Sequence, residues 1–349
     1  MIRPFGTLPN GQQVDVIRLQ NGIRSCEIIT FGAALRTLVV QGKDGPVDVV
    51  LGYDDLDSYV NLGGHLGATV GRHANRIAYG KFTLDGVEYQ VNVHKPPHHI
   101  HGGKVNFSHL PWRIKAASED ALTLVMDSPD GDEGFPGHLV AEVTYRLVGS
   151  ALELHYRAVT DKPTLCNLTN HSYFNLAGHA SGPVLDQELQ MSCARYTPAD
   201  STNIPTGELA PVVGTPMDFS TLHPIGDHLH DDFDQLNWCG GYDQNYVIDG
   251  ALNPDGTPAP QALRSVALAR SEKTGITMEC LSTLPGVQLY TANGLKPVTG
   301  KGGALYGPYH AFCLETQFFP DAINHSQFPA PILRPGEPFD SVTRYVFSR

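Results

Sequence analysis

Positive charge is scarce in this sequence: 24 Lys and Arg stand against 36 Asp and Glu, a net charge of −12. Nucleic acid as a partner is disfavoured, because a polyanion needs a clustered basic surface. A small neutral ligand suits the balance better. Long hydrophobic runs are also missing, and with no stretch near the roughly 18 apolar residues of a membrane-spanning helix, no membrane partner is expected. The opening MIRPFGTLPNGQQ lacks the basic, apolar and small-residue succession of a secretory signal. Cysteine is thin, at six widely spread residues, with neither a CxxC pair nor a disulfide-scaffold spacing. These thiols read as reduced, and the expected location is cytoplasmic.

What is present is enough apolar material for a large core, at 41% hydrophobic against 17% charged residues. The run Leu152-Glu153-Leu154-His155-Tyr156-Arg157-Ala158 alternates with the period of a half-buried strand. Residues 121–126, 140–147 and 266–269 have similar strand-like composition, and Gly and Pro punctuate the gaps. Long amphipathic helices are hard to find. The expectation is an all-β fold, a sandwich or barrel, with residues 1–349 as a single domain. The stretch Asn253 to Ala262 (NPDGTPAPQA) is the nearest thing to a linker and reads as a surface loop.

Five polar clusters could carry chemistry. In Gly71-Arg72-His73-Ala74-Asn75-Arg76-Ile77, Asn75 and Arg76 suit sugar hydroxyls, although taken alone they better suit a tied-down turn or a bridge between two strands. His94, His98, His99 and His101 precede Gly102 and Gly103, whose missing side chains would let the backbone approach a ligand. No Cys pair, HExxH or carboxylate-histidine spacing accompanies them, so no metal is expected. The segment Asn167 to Leu176 (NLTNHSYFNL) makes His171 the natural proton carrier. Ser172 beside it lacks the GxSxG elbow of a hydrolase nucleophile. Asp243 in GYDQNY and Glu315 in FCLETQFF are single carboxylates among neutral and apolar neighbours, where burial would raise Glu315 above about 4.3 and improve it as a base. Gln288, in an apolar strand, reads either as a satisfied core amide or as a binding residue.

In order and spacing these segments resemble the aldose 1-epimerase family: GRHANRI, the HGG at His101, NLTNHSYFNL, GYDQNY, LPGVQLYT and LETQFFPDAINH. The loop Asp130 to Gly137 and the Pro335-Gly336 turn before Tyr345 also look like that family's. The resemblance implies a large antiparallel β-sandwich, the galactose mutarotase-like supersandwich, binding an aldose in a cleft without a cofactor. It implies Glu315 as general base on the anomeric hydroxyl and His171 as general acid on the ring oxygen. Arg76, His101 and Asp243 match positions that hold the sugar, with Asn75 and Gln288 as weaker binding positions. One departure is Gln244, where the family commonly has histidine, which puts sugar preference in question. Such an acid–base pair is expected to need both pKa values raised, Glu315 above about 4.3 and His171 above about 6.5.

Overall fold

The computed structural model describes residues 1–22 and 24–349. Alternation produces the expected strands: Ala151–Thr160 buries Leu152, Leu154, Tyr156 and Ala158 on one face, and Ala121–Ser128, Leu139–Val148 and Arg264–Ser271 extend the other three runs. They belong to a nine-stranded sheet ordered Arg113–Ala117, Ala121–Ser128, Leu139–Val148, Ala151–Thr160, Phe339–Ser348, Ile276–Ser282, Arg264–Ser271, Glu188–Met191 and His223–Pro224. All strand neighbours within it are antiparallel. The only α-helices among the described residues, Leu56–Asn61 and Asp234–Cys239, have six residues each. No described helix is long and apolar enough to cross a membrane.

Two five-stranded sheets complete the sandwich. One is a meander of consecutive strands from Ile2 to Asp48; the other runs Ala210–Pro211, Arg195–Tyr196, Asp243–Val247, Gly286–Tyr290 and Cys313–Gln317. A continuous core joins all three sheets, with Ile17, Leu19 and Leu38 from the meander, Leu124, Val143, Leu154 and Met278 from the large sheet, and Tyr246, Val287, Leu289 and Leu314 from the third. The third sheet positions the chemistry, because side chains along a strand alternate faces. Tyr246, Leu289 and Leu314 point into the core. Their neighbours Asp243, Asn245, Gln288, Tyr290, Cys313 and Glu315 therefore share the opposite face.

Candidate active site

The register of that third sheet sets residues from distant parts of the chain side by side. Asn245 pairs with Gln288 and Gln288 with Glu315, and one step along Asp243 pairs with Tyr290 and Tyr290 with Cys313. Directly opposed residues share a face at Cβ separations of about 4.5–5.5 Å, so both rows lie on the same face of the sheet. His171 faces them from a segment clamped at both backbone groups: its N–H donates to Ala68 O and its carbonyl accepts from Gly67 N–H, each at 2.9 Å. Three residues on, Phe174 exchanges backbone hydrogen bonds with Phe312 at 2.8 and 3.0 Å, tying the histidine segment to the start of the strand that carries Glu315.

A cleft of about 610 Å³ opens over this face, within the 300–1,000 Å³ usual for small-molecule sites. Six of the seven residues singled out from sequence line it: Asn75, Arg76, His101, His171, Asp243 and Glu315. Gln288 stands one layer behind, its amide donating to Asp243 Oδ1 at 2.8 Å. His65, Lys95, Tyr173, Tyr290 and Lys296 also line the cleft and escape sequence reasoning. Only His65 has a local sign, the preceding Gly63-Gly64 pair, which resembles the glycines beside His101.

At the floor, His171 Nε2 lies 3.5 Å from Glu315 Oε1, both side chains almost fully buried. The back of the imidazole, Nδ1, meets Cys313 Sγ at 3.6 Å, and Tyr173 stacks on its face at 4.9 Å between ring centroids. Burial, then the charge of Asp243, raises the Glu315 carboxyl well above its ordinary value, with Arg76 pulling the other way. His171 departs from expectation. Instead of rising it falls to about 4, because burial disfavours the imidazolium and the Lys95 charge adds to that, against an opposing backbone hydrogen bond. Burial thus disfavours both charged forms in the ligand-free site, the Glu315 carboxylate and the His171 imidazolium. Glu315 Oε2, Gln288 Oε1 and Asn245 Oδ1 are buried without a protein partner, in one cross-strand row.

The backbone at Asn75 and at His101 is left-handed, with φ of +62° and +52°. The N–H of Asn75 donates to His101 Nδ1 at 3.2 Å, which fixes the proton of the neutral ring on Nε2, toward the cleft. That tautomer bears on a metal reading. His101, His171 and Glu315 offer donor atoms within 4.8 Å of one another, but the outward nitrogen of His101 has no lone pair to give while the Asn75 bond holds. A hydrogen-bond donor is the better description of His101.

The glycines after His101 serve a different purpose from the one expected. A Cβ on Gly102 would lie 1.9 Å from Gly71 O, and one on Gly103 2.2 Å from Glu133 Oε2. The close approach is of chain to chain, not chain to ligand. Glu133, from the Asp130 to Gly137 loop, accepts hydrogen bonds from the N–H groups of Lys104 and Val105 at 2.9 Å each and so pins the turn that presents His101. Arg72 is likewise structural, its buried guanidinium donating to the carbonyls of Ser128, Pro129, Pro136 and Gly137. Gly102→Ala is expected to destabilise the protein by about 2–4 kcal/mol, the cost of a forced clash at positive φ, read as a lowered urea midpoint.

Gln244, the departure noted from sequence, points away from the cleft. It follows Asp243 by one residue and so occupies the other face, donating to Gln235 O at 2.8 Å and accepting from Asp243 N–H at 2.8 Å. Gln244 is no part of the cleft lining, and any bearing on the sugar would run through Asp243. Gln244→His is expected to leave the ratio of kcat/KM between galactose and glucose within about threefold, since no hydroxyl contact changes; polarimetric kinetics on both sugars would measure it.

A β-sandwich with an acid–base pair at the floor of a polar cleft defines an enzyme that acts on a small polar molecule by proton transfer. Comparison with known proteins makes the class specific. The sequence model of the family described as aldose 1-epimerase matches residues 15–346. A galactose mutarotase of Homo sapiens is 41% identical over 347 residues, 99% of this chain and 97% of that protein. An aldose 1-epimerase of Escherichia coli K12 is 33% identical, covering 97% and 96% of the two chains. Among solved structures, an aldose epimerase homologue from C. elegans superposes with a TM-score of 0.85 at 28% identity, covering 96% of this chain and 98% of that one. A galactose 1-epimerase from Lactobacillus acidophilus gives a TM-score of 0.85 at 26% identity, covering 100% and 98%. This chain belongs to the aldose 1-epimerase family and is an isomerase acting on carbohydrates.

Proposed function

We propose that the cleft binds a free aldose, galactose or glucose by preference, and that Glu315 and His171 interconvert its anomers as general base and general acid. The observation that carries this reading is the 3.5 Å approach of His171 Nε2 to Glu315 Oε1 at the floor of the cleft. Ring opening must remove a proton from the anomeric hydroxyl and supply one to the ring oxygen. Both oxygens are bonded to C1, so a base and an acid a few ångströms apart can reach them together.

The reaction needs the pair to share one proton, so that one member can take a hydrogen while the other gives one. With that proton on His171, Glu315 takes the hydrogen from the C1 hydroxyl, His171 gives its own to the ring oxygen, and the C1–ring oxygen bond breaks. The pair is then protonated Glu315 beside neutral His171, the form favoured by burial in the ligand-free site. Rotation about C1–C2 turns the other face of the aldehyde to the ring hydroxyl. His171 now takes the hydroxyl proton as it attacks C1, Glu315 reprotonates the former carbonyl oxygen, and the opposite anomer is closed. Arg76, His101 and Asp243 hold the sugar. Asn75 holds His101 through its backbone and Gln288 orients Asp243, so both act at one remove.

The span of the family match, residues 15–346, supports reading the chain as one domain; a cytoplasmic location accords with its six unpaired cysteines. Decay of optical rotation of freshly dissolved α-galactose, α-glucose, xylose and arabinose tests the activity. Acceleration of at least one is expected, and uncatalysed rates for all would refute it. A second reading has one observation in its favour. Lys95 and Lys296 line the cleft with no ion-pair partner among the described residues, and could meet a sugar phosphate. Acceleration of glucose 6-phosphate alone would favour it.

A further inference from the structure

His65 has a hydrogen-bonding role fixed by a chain of donors that starts outside the cleft. Asn106 Nδ2 donates to Gly103 O at 2.8 Å, which leaves Asn106 Oδ1 as the accepting end, and Ser108 N–H donates to it at 3.0 Å. The Ser108 hydroxyl also donates to that oxygen. A serine has one hydroxyl proton, so toward His65 Nδ1, 2.7 Å away, Ser108 Oγ can only accept. The neutral His65 ring therefore carries its proton on Nδ1 and a lone pair on Nε2. Among the described residues Nε2 has no hydrogen-bond partner, and the ring lines the cleft.

Its neighbour has the opposite polarity. His101 presents Nε2–H for the reason given above, and the two ring centroids are 5.3 Å apart. We propose that His65 is a specificity-determining residue, whose Nε2 accepts a hydrogen bond from one non-anomeric hydroxyl of the aldose and with His101 forms an acceptor–donor pair against adjacent hydroxyls. The inference rests on the cleft being the aldose site. Burial and the neighbouring His171, His109 and Lys95 keep the imidazole far below its ordinary pKa, so it remains an acceptor throughout the neutral range.

The test compares wild type with His65→Phe, which keeps a ring and deletes the acceptor, on galactose and its 2-, 3-, 4- and 6-deoxy analogues. The variant is expected to lose roughly 10- to 100-fold in kcat/KM on galactose, mostly through KM, the scale of one buried hydrogen bond. On one deoxy analogue wild type and variant should be equal, because the partner hydroxyl is already gone. His65→Gln, which can again offer an acceptor, should recover part of the loss on galactose. An equal loss on all four analogues, or no loss on galactose, would overturn the assignment. Should wild type accelerate no sugar at all, the proposed activity fails instead, which separates the two outcomes.

Discussion

Replacing Glu315 by glutamine is expected to lower kcat for mutarotation by about 10²–10⁴-fold, the usual contribution of a positioned general base, and at the same time to raise the temperature of unfolding. The first effect arises because the amide cannot take the anomeric proton. The second arises because the wild-type carboxyl is buried with one oxygen unpartnered and its pKa is raised. A folded-state carboxyl pKa above the unfolded one means that the native state holds the proton more tightly. Above the unfolded value, about 4.3, the unfolded state therefore gains stability from ionising sooner, and native stability falls with each unit of pH until the raised folded pKa is passed. Glutamine does not titrate. The gap in unfolding temperature between variant and wild type should accordingly widen in calorimetry as the pH rises above about 4.3, and level off once the raised folded pKa is passed. A variant with full activity would remove Glu315 from the chemistry, and one less stable at every pH would contradict the burial penalty.

The pH dependence of kcat/KM should be bell-shaped with a broad top, and His171 should set its acid side. Between its two apparent pKa values the pair holds the one proton that both halves of the reaction require. Below about 4, the value to which burial brings His171, a second proton binds and no base remains. Above the raised pKa of Glu315 the last proton leaves and no acid remains. Activity should therefore persist well below the ordinary histidine value of 6.5, and an acid limb near 6.5 would show that His171 is not held neutral in the free enzyme. His171→Asn should cost about 10²–10⁴-fold at neutral pH and abolish that acid limb, separating loss of the acid from general damage to the cleft.

How much of this was legible in the sequence depended on whether the cause was local. The strand at Ala151–Thr160 could be read because a half-buried strand in a wide sheet writes its alternation into ten consecutive residues. The pairings Thr69–Val70 with Thr169–Asn170 and Arg76–Ile77 with His99–Ile100 could not, since two-residue strands have no period to detect. Local neighbours marked His171 and Glu315 as candidates, and the family resemblance supplied their roles; composition supplied neither. The downward shift of His171 was missed because it comes from burial and from Lys95, which lies far off in sequence and close in space. His65 was missed for a related reason: its role follows from Asn106 and Ser108, some forty residues away, and a tautomer leaves no mark in the residue order. The purpose of Gly102 was misread because a glycine spared for a ligand and one spared for Gly71 are identical in sequence.

The third sheet also constrains how this chain can vary. Along Asp243–Val247, Gly286–Tyr290 and Cys313–Gln317, adjacent residues serve the cleft and the core by turns. Deleting one residue within any of these strands would exchange the two sets, sending Leu289 or Leu314 into the cleft and Gln288 or Glu315 into the core. The connections escape that rule. Residues 248–263, which hold the Pro-rich surface loop, can lengthen or shorten without disturbing parity, so insertions and deletions tolerated by the enzyme should gather there and avoid the three strands.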